Sequence, residues 1–287
     1  MEKKIYEISK MSEEKIKKMK IKEIEEVKEY LDDKYYNTGE FSGLSDEQYD
    51  KLVEILEKKT KKPNKKVGVQ MREGENRVKL PIYLGSIDKI RIKEDNKLKN
   101  WLNKNESESY IIESKLDGVS CLLTYEGGEI RLYTRGDGKI GADITHLTKY
   151  IKNIPKKIKE EINIRGELII KEKVFYEKYR ESFTNPRNMI SGLVNSKTLR
   201  EGVNDIEFIA YELIYNNMSE KQERPEKQLE ILSDNGFKIV YNKKINEINF
   251  EVLTEEYLYT KQISEYEIDG MIIQGNKEYI RNVKDNP

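Results

Sequence analysis

The chain reads as α+β, a small helical N-terminal part followed by a larger part that mixes strands and helices. Two observations predict this. Through residues 1–60 apolar side chains recur at helical spacing, with charge on the opposite face. From about Val67 onward, short β-branched and apolar runs recur between glycines, as at Tyr110-Ile111-Ile112, Cys121-Leu122-Leu123 and Ile206 to Leu213.

Composition narrows the class. The 287 residues hold 53 basic and 53 acidic side chains, 37% charged and 36% hydrophobic in all. That is a globular profile with no global basic field for nucleic acid, although a local basic patch is allowed. No run of about 18 apolar residues offers a membrane span, and the N-terminus has no apolar signal core. A cytoplasmic location is the expectation. Cys121 is the sole cysteine, which excludes an internal disulfide or a multi-cysteine zinc site.

In order, Glu23 to Leu31 and Ser45 to Lys59 predict helices (Ile24, Val27, Leu31; then Tyr49, Leu52, Val53, Leu56), with Ser45-Asp46 as a helix start. Between them lies a glycine-containing loop rich in aromatics, Tyr35 to Leu44. Lys58 to Lys66, with Pro63-Asn64, is the expected boundary, dividing the chain into 1–66 and 67–287. Asp95 to Lys104 predicts a short helix with Leu98, Trp101 and Leu102 on one face.

Glu113-Ser114-Lys115-Leu116-Asp117-Gly118-Val119-Ser120 lies between two strand-like runs. Asp-Gly in that setting is a turn signal, so one reading is a hairpin carrying an exposed lysine. The other makes Lys115 a nucleophile. An amine attacks only when neutral, and an ordinary lysine pKa of about 10.4 demands burial or neighbouring cations.

After a strand around Ile130 to Tyr133 comes Thr134-Arg135-Gly136-Asp137-Gly138, then Gly141-Ala142-Asp143-Ile144-Thr145. Arg135 supplies a permanently charged fork. Asp143 is expected to cap a helix over Ile144 to Ile151, with His146, the sole histidine, as a surface or packing residue and no catalytic group. Asn163 to Ile170 predicts a strand in which Glu167 needs a partner, because an unpaired buried carboxylate is costly. Phe183-Thr184-Asn185-Pro186-Arg187-Asn188 offers Arg187 to a phosphate. Tyr211 lies on a predicted strand. Asn217 to Gln228 reads as a polar connector, and helices are expected up to Gly236 and over Val252 to Ser264. Ile268-Asp269-Gly270-Met271-Ile272-Ile273-Gln274 closes the series.

Lys-x-Asp-Gly resembles the signature of covalent nucleotidyltransferases, the DNA ligases, RNA ligases and capping enzymes. The block Thr134 to Thr145 is nearly identical to its counterpart in NAD-dependent DNA ligases, and Arg165-Gly166-Glu167, Phe183 to Asn188 and Ile268 to Gln274 follow in the same order. Tyr36-Asn37, Asp46 and Tyr49-Asp50 resemble the N-terminal helical domain of that family, where Tyr-His, Asp and Tyr-Asp grip the nicotinamide mononucleotide (NMN) half of NAD.

The resemblance implies an adenylation domain of antiparallel sheets flanked by helices, behind a helical NMN-binding subdomain. It implies that Lys115 attacks NAD to form lysyl-AMP, with Asp117 orienting the lysine or the ribose. Glu113 would read adenine, Leu116 and Arg135 would line the nucleotide pocket, Glu167 would hold the ribose, and Tyr211 would stack on the base. Tyr36, Asn37, Asp46, Tyr49 and Asp50 would take NMN. Mg²⁺ would be held by phosphate oxygens and water, and nicked double-stranded DNA would receive the adenylate with the help of further C-terminal domains, the chain acting as a monomer.

The chain departs from the family at three places. Asn37 replaces a histidine, Asn195 an arginine, and Gln274 a lysine that lies near the reactive phosphate. A final aromatic-x-x-Ala-x-Lys-Phe strand is not in this sequence. A non-catalytic nucleotide-binding relative, or an adenylyltransferase with another acceptor, therefore stays open at this stage.

Overall fold

The computed structural model describes residues 1–33, 44, 46–60, 76–158, 160–196, 198–215 and 221–281. The N-terminal part is helical as expected, with α1 (Glu2–Ser9), α2 (Glu13–Lys18), α3 (Ile21–Asp33) and α4 (Asp46–Thr60). Their apolar faces close on one another around Ile5, Ile16, Ile24, Val27, Leu31, Leu52 and Leu56. This is the outcome that a 3.6-residue apolar period dictates. Thr60 ends the description of this part, so most of the expected 58–66 boundary lies outside the described residues.

Beyond it run β1 (Arg77–Lys79), α5 (Asp95–Lys104), β2 (Tyr110–Leu116), β3 (Val119–Glu126), β4 (Glu129–Thr134), β5 (Ile140–Ala142), β6 (Ile162–Ile169), α6 (Glu172–Lys178), α7 (Pro186–Val194), β7 (Glu207–Ile214), α8 (Pro225–Asp234), β8 (Asn242–Ile245), α9 (Phe250–Ile263) and β9 (Ile268–Gly275). They form a four-stranded sheet in the order β4-β3-β6-β7, a three-stranded sheet in the order β8-β2-β9, and the small pair β1-β5. Each of these strands runs antiparallel to its neighbours. Among the described residues no helix is long and apolar enough to cross a membrane.

Strand alternation assigns each face. On the four-stranded sheet, Cys121, Leu123, Ile164, Leu168, Phe208 and Ala210 share the largest core cluster with Phe175 of α6, Met189 and Leu193 of α7 and Leu232 of α8. On the three-stranded sheet, Tyr110 and Ile112 turn outward under Leu98 and Trp101 of α5 and Leu253 of α9. Ile111 points the other way and meets Ile169 and Ile209 of the larger sheet. The inner faces of the two sheets thus form a cleft with an apolar floor.

Three sequence expectations are corrected. The Asp117-Gly118 turn does not close a hairpin: β2 pairs with β8 and β9, whereas β3 pairs with β4 and β6. The turn carries the chain from one sheet to the other. Gly118 is required because a Cβ there would stand 2.3 Å from the Leu168 carbonyl oxygen and 2.9 Å from Glu167 Cγ. The expected helix over Ile144 to Ile151 shrinks to a 3₁₀ turn, Thr145–Leu147. Ile144, Leu147 and Ile151 are buried at helical spacing, but Asp143 Oδ1 accepts from the Thr145 amide and Thr145 Oγ1 accepts from the Leu132 amide. These side-chain bonds tie the segment to β4. Lastly, the expected connector 217–228 already contains the start of α8 at Pro225, a residue suited to the first helical turn.

Candidate active site

Two β-bulges shape the cleft. On β9 the register moves from Lys115 opposite Gly270 to Leu116 opposite Ile268, which leaves Asp269 as the extra residue. On β7 it moves from Arg165 opposite Glu212 to Gly166 opposite Ala210, which leaves Tyr211 extra. A bulge re-aims side chains that strict alternation would send elsewhere. Asp269 reaches Lys115 and accepts two hydrogen bonds from Nζ, both of 2.7 Å. Both side chains are 45% exposed, so the amine stands open to a ligand.

Glu113 shares the face of Lys115 two residues earlier on β2 and is 2% exposed. Burial, reinforced by the charge of Glu212, pushes its carboxyl up to about 8, and the hydrogen bond from Gln274 opposes that shift. Gln274 Nε2 donates to Glu113 Oε1 at 3.3 Å. The side chain at the position of the family's lysine therefore meets Glu113. Gln274 lies opposite Ile111, whereas Lys115 lies opposite Gly270, four residues away along β9.

Glu167, on β6, is also buried. Burial lifts it to about 7, while Arg187, Lys115, Arg165 and Arg135 pull it downward. Its partner in the fold is Tyr211, whose hydroxyl lies 3.5 Å from Oε2 and shares a 2.7 Å hydrogen bond with Ser120 Oγ. The plain salt bridge that a buried glutamate would suggest is not among the ion pairs of the described residues. The Tyr211 ring stands 5.8 Å from the Arg165 guanidinium.

The α7 N-terminus brings in Arg187. Asn185 caps the helix through a 2.8 Å bond from the Asn188 amide, and Pro186 opens the first turn. Arg187 Nη1 then donates to Asp117 Oδ1 at 2.8 Å. Asp117 thus holds an arginine, and its own amide is anchored on the Glu267 carbonyl at 2.9 Å. Asn195, at the C-terminal end of α7, folds back on the Ser191 carbonyl of its own helix. Arg135 Nη1 donates to Ser86 Oγ at 3.1 Å. Leu116 packs against the cluster that joins the sheets.

The NMN-side residues are described only in part. Tyr36 and Asn37 lie outside the described residues, and Asp46 and Asp50 are described by their backbone alone, on α4. Tyr49 packs against the helical core. His146 is exposed.

Sequence reasoning missed four residues. Asp269 is one, since its bulge has no local signal. Ser120 is another. The third and fourth are Arg281 and Glu212: Arg281 Nε donates to Glu212 Oε1 at 2.8 Å, and its Nη1 donates to the Tyr83 carbonyl at 2.6 Å. Arg165 Nη2 donates to the Gly85 carbonyl at 3.0 Å. Two guanidiniums therefore hold the segment from Tyr83 to Gly85, with Glu212 between them. A surplus of buried cation and anion so far apart in sequence has no motif to announce it.

The comparisons with known proteins agree with this geometry. The model of the NAD-dependent DNA ligase adenylation domain matches residues 86–283. A DNA ligase of Acanthamoeba polyphaga mimivirus is 40% identical over 276 residues, 92% of this chain and 41% of that protein. The DNA ligase of Thermosipho africanus is 32% identical over 299 residues, 93% of this chain and 44% of that protein. That of Brachyspira hyodysenteriae is 30% identical over 289 residues, covering 90% and 42% respectively. The chain spans about two-fifths of the length of these curated relatives. With a lysine at a crossover between two antiparallel sheets and a match over 86–283, the chain belongs to the family of NAD-dependent DNA ligase adenylation domains.

Proposed function

We propose that residues 67–287 adenylylate themselves on Lys115, and that residues 1–66 form a helical subdomain holding the NMN half of NAD. Lys115 Nζ passes a proton to the Asp269 carboxylate that holds it and attacks the α-phosphorus. A nitrogen–phosphorus bond forms, the pyrophosphate bond breaks, and NMN departs with its own phosphate. Lysyl-AMP remains, so one hard displacement becomes two easier ones.

The other residues bind and orient. Glu113 reads the adenine edge, Tyr211 stacks on the base and Glu167 holds the ribose. Arg135, Leu116 and Gln274 line the pocket. Arg187, positioned by Asp117, faces phosphate. Tyr36, Asn37, Asp46, Tyr49 and Asp50 take the NMN side. Mg²⁺ would sit mostly on phosphate oxygens and water, where it would offset charge at the phosphorus. The destination of the adenylate is the 5′-phosphate of nicked double-stranded DNA, from which a 3′-hydroxyl displaces AMP.

What carries the reading is convergence: β2, β6, β7, β9 and α7 each send a charged or aromatic side chain to the mouth of one cleft around an accessible lysine. Donor choice tests it. NAD should yield an adenylate adduct visible by intact mass, and added NMN should remove it. Comparable labelling by ATP would contradict the assignment of NAD.

A further inference from the structure

Ser120 has no part in the roles above, yet three of the residues assigned to the nucleotide meet at it. It lies directly opposite Glu167 in the β3–β6 ladder. Its carbonyl accepts the Arg135 amide at 2.9 Å, continuing the β3–β4 ladder by one bond past Thr134. Its hydroxyl bonds the Tyr211 hydroxyl at 2.7 Å. Leu122, two residues on, lies on the sheet face away from the largest core cluster, so Ser120 looks into the cleft.

The hydrogen-bond directions follow from the acceptor. Tyr211 donates its proton toward Glu167 Oε2, at the long limit of 3.5 Å. Its oxygen is then free to accept from Ser120. The result is a relay, Ser120 to Tyr211 to Glu167, across β3, β7 and β6. Tyr211 needs such a tether because it is the bulged residue of β7 and has no opposite partner in the β6–β7 ladder. A ring outside the ladder register is held in place by its own side-chain contacts.

We propose that Ser120 is a positioning residue: its hydroxyl fixes the Tyr211 ring and, through it, the Glu167 carboxylate for the adenosine half of the dinucleotide. This rests on the assignment of Tyr211 and Glu167 to that half. An orienting role of this kind acts on binding of the nucleotide and leaves the attack by Lys115 unchanged.

The test is single-turnover lysyl-AMP formation across a range of NAD concentrations. Ser120→Ala should raise the half-saturating NAD concentration about fivefold, the scale of one neutral hydrogen bond, with the saturated rate within about twofold of the parent. Tyr211→Phe, which keeps the ring and loses the hydroxyl, should give the same rise, and the double variant should be no worse than either single one. Ser120→Thr, which keeps a hydroxyl, should restore most of the affinity. Melting without NAD identifies any variant that fails to fold, and Tyr211→Phe then carries the test alone. Unchanged half-saturation in Ser120→Ala or Tyr211→Phe, effects that multiply in the double variant, or a fall confined to the saturated rate would each overturn the proposal. A parent protein that forms no lysyl-AMP would overturn the assignment beneath it and the relay together. A labelled parent with an indifferent Ser120→Ala would overturn the relay only.

Discussion

Lys115 and Asp269, 154 residues apart, are joined by two hydrogen bonds of 2.7 Å because Asp269 is the bulged residue of β9. The pair fixes the end of a long, otherwise mobile side chain at the crossover between the sheets. Asp269→Ala should therefore misplace the amine and slow single-turnover adenylylation by about 10²-fold at saturating NAD. A rate equal to the parent's would mean that Asp269 does not position the lysine. A faster rate would mean that it only restrains the resting amine.

The buried carboxyls predict a pH dependence of stability. Glu167 is raised from 4.5 to about 7 and Glu113 from 4.5 to about 8, both by burial first. Between 4.5 and those values the folded state keeps protons that the unfolded state has released. Stability is thus fully supported below about 4.5 and is lost as pH rises through 7 and 8. Glu113→Gln should flatten the upper part of this decline, measured as melting temperature against pH without NAD. Gln274→Lys should flatten it too, because a cation beside Glu113 lets it ionise in place. Profiles that superimpose on the parent's would contradict both.

Glycine at the sheet crossover is a packing requirement. Gly118→Ala would drive a methyl into the Leu168 carbonyl and Glu167 Cγ. Overpacking of this kind costs about 1–3 kcal/mol, and it should also displace Glu167 and weaken NAD-dependent labelling. Gly192→Ala, where a Cβ meets nothing within 4 Å on α7, should instead stabilise by about 0.5–1 kcal/mol. Denaturant unfolding of the two variants side by side checks the contrast. Equal effects would refute it.

Arg281 and Glu212 form an ion pair whose side chains are 0% and 12% exposed. Arg281→Ala leaves the buried Glu212 carboxylate with Arg165 alone, 3.8 Å away, and should destabilise by about 1.5–3 kcal/mol. Added salt should change the parent's stability little through this pair, since it is shielded from solvent. A loss under about 1 kcal/mol in urea unfolding would show that the clamp on Tyr83 is dispensable.

Much of this site was legible in sequence because its residues sit in short contiguous runs. Lys115, Asp117 and Glu113 share one strand and turn, and α5 spans Asp95–Lys104 as its apolar spacing predicts. The rest depends on long-range register. A bulge is invisible until two strands are aligned, so Tyr211 could be placed on a strand but not aimed, and Asp269 gave no sign of its contact with Lys115. The Asp117-Gly118 turn carries the same residues as a hairpin turn, and only the competing partners of β2 and β3 distinguish a crossover. The helical spacing of Ile144, Leu147 and Ile151 was real as burial, but side-chain bonds to the 143–145 backbone and from β4 won over helix propagation. Gln274 illustrates the converse: its departure from the family was plain in sequence, whereas its contact with Glu113 was not.

The proposed adenylation site is Lys115. The most direct measurement is intact mass after incubation with NAD and Mg²⁺, followed by peptide mapping, for the parent and for Lys115→Ala. The parent should gain one AMP, mapped to Lys115, and the variant should gain none while still melting as a folded protein. An adduct that persists in Lys115→Ala, or NAD-dependent stabilisation of the parent with no gain in mass, would contradict the account.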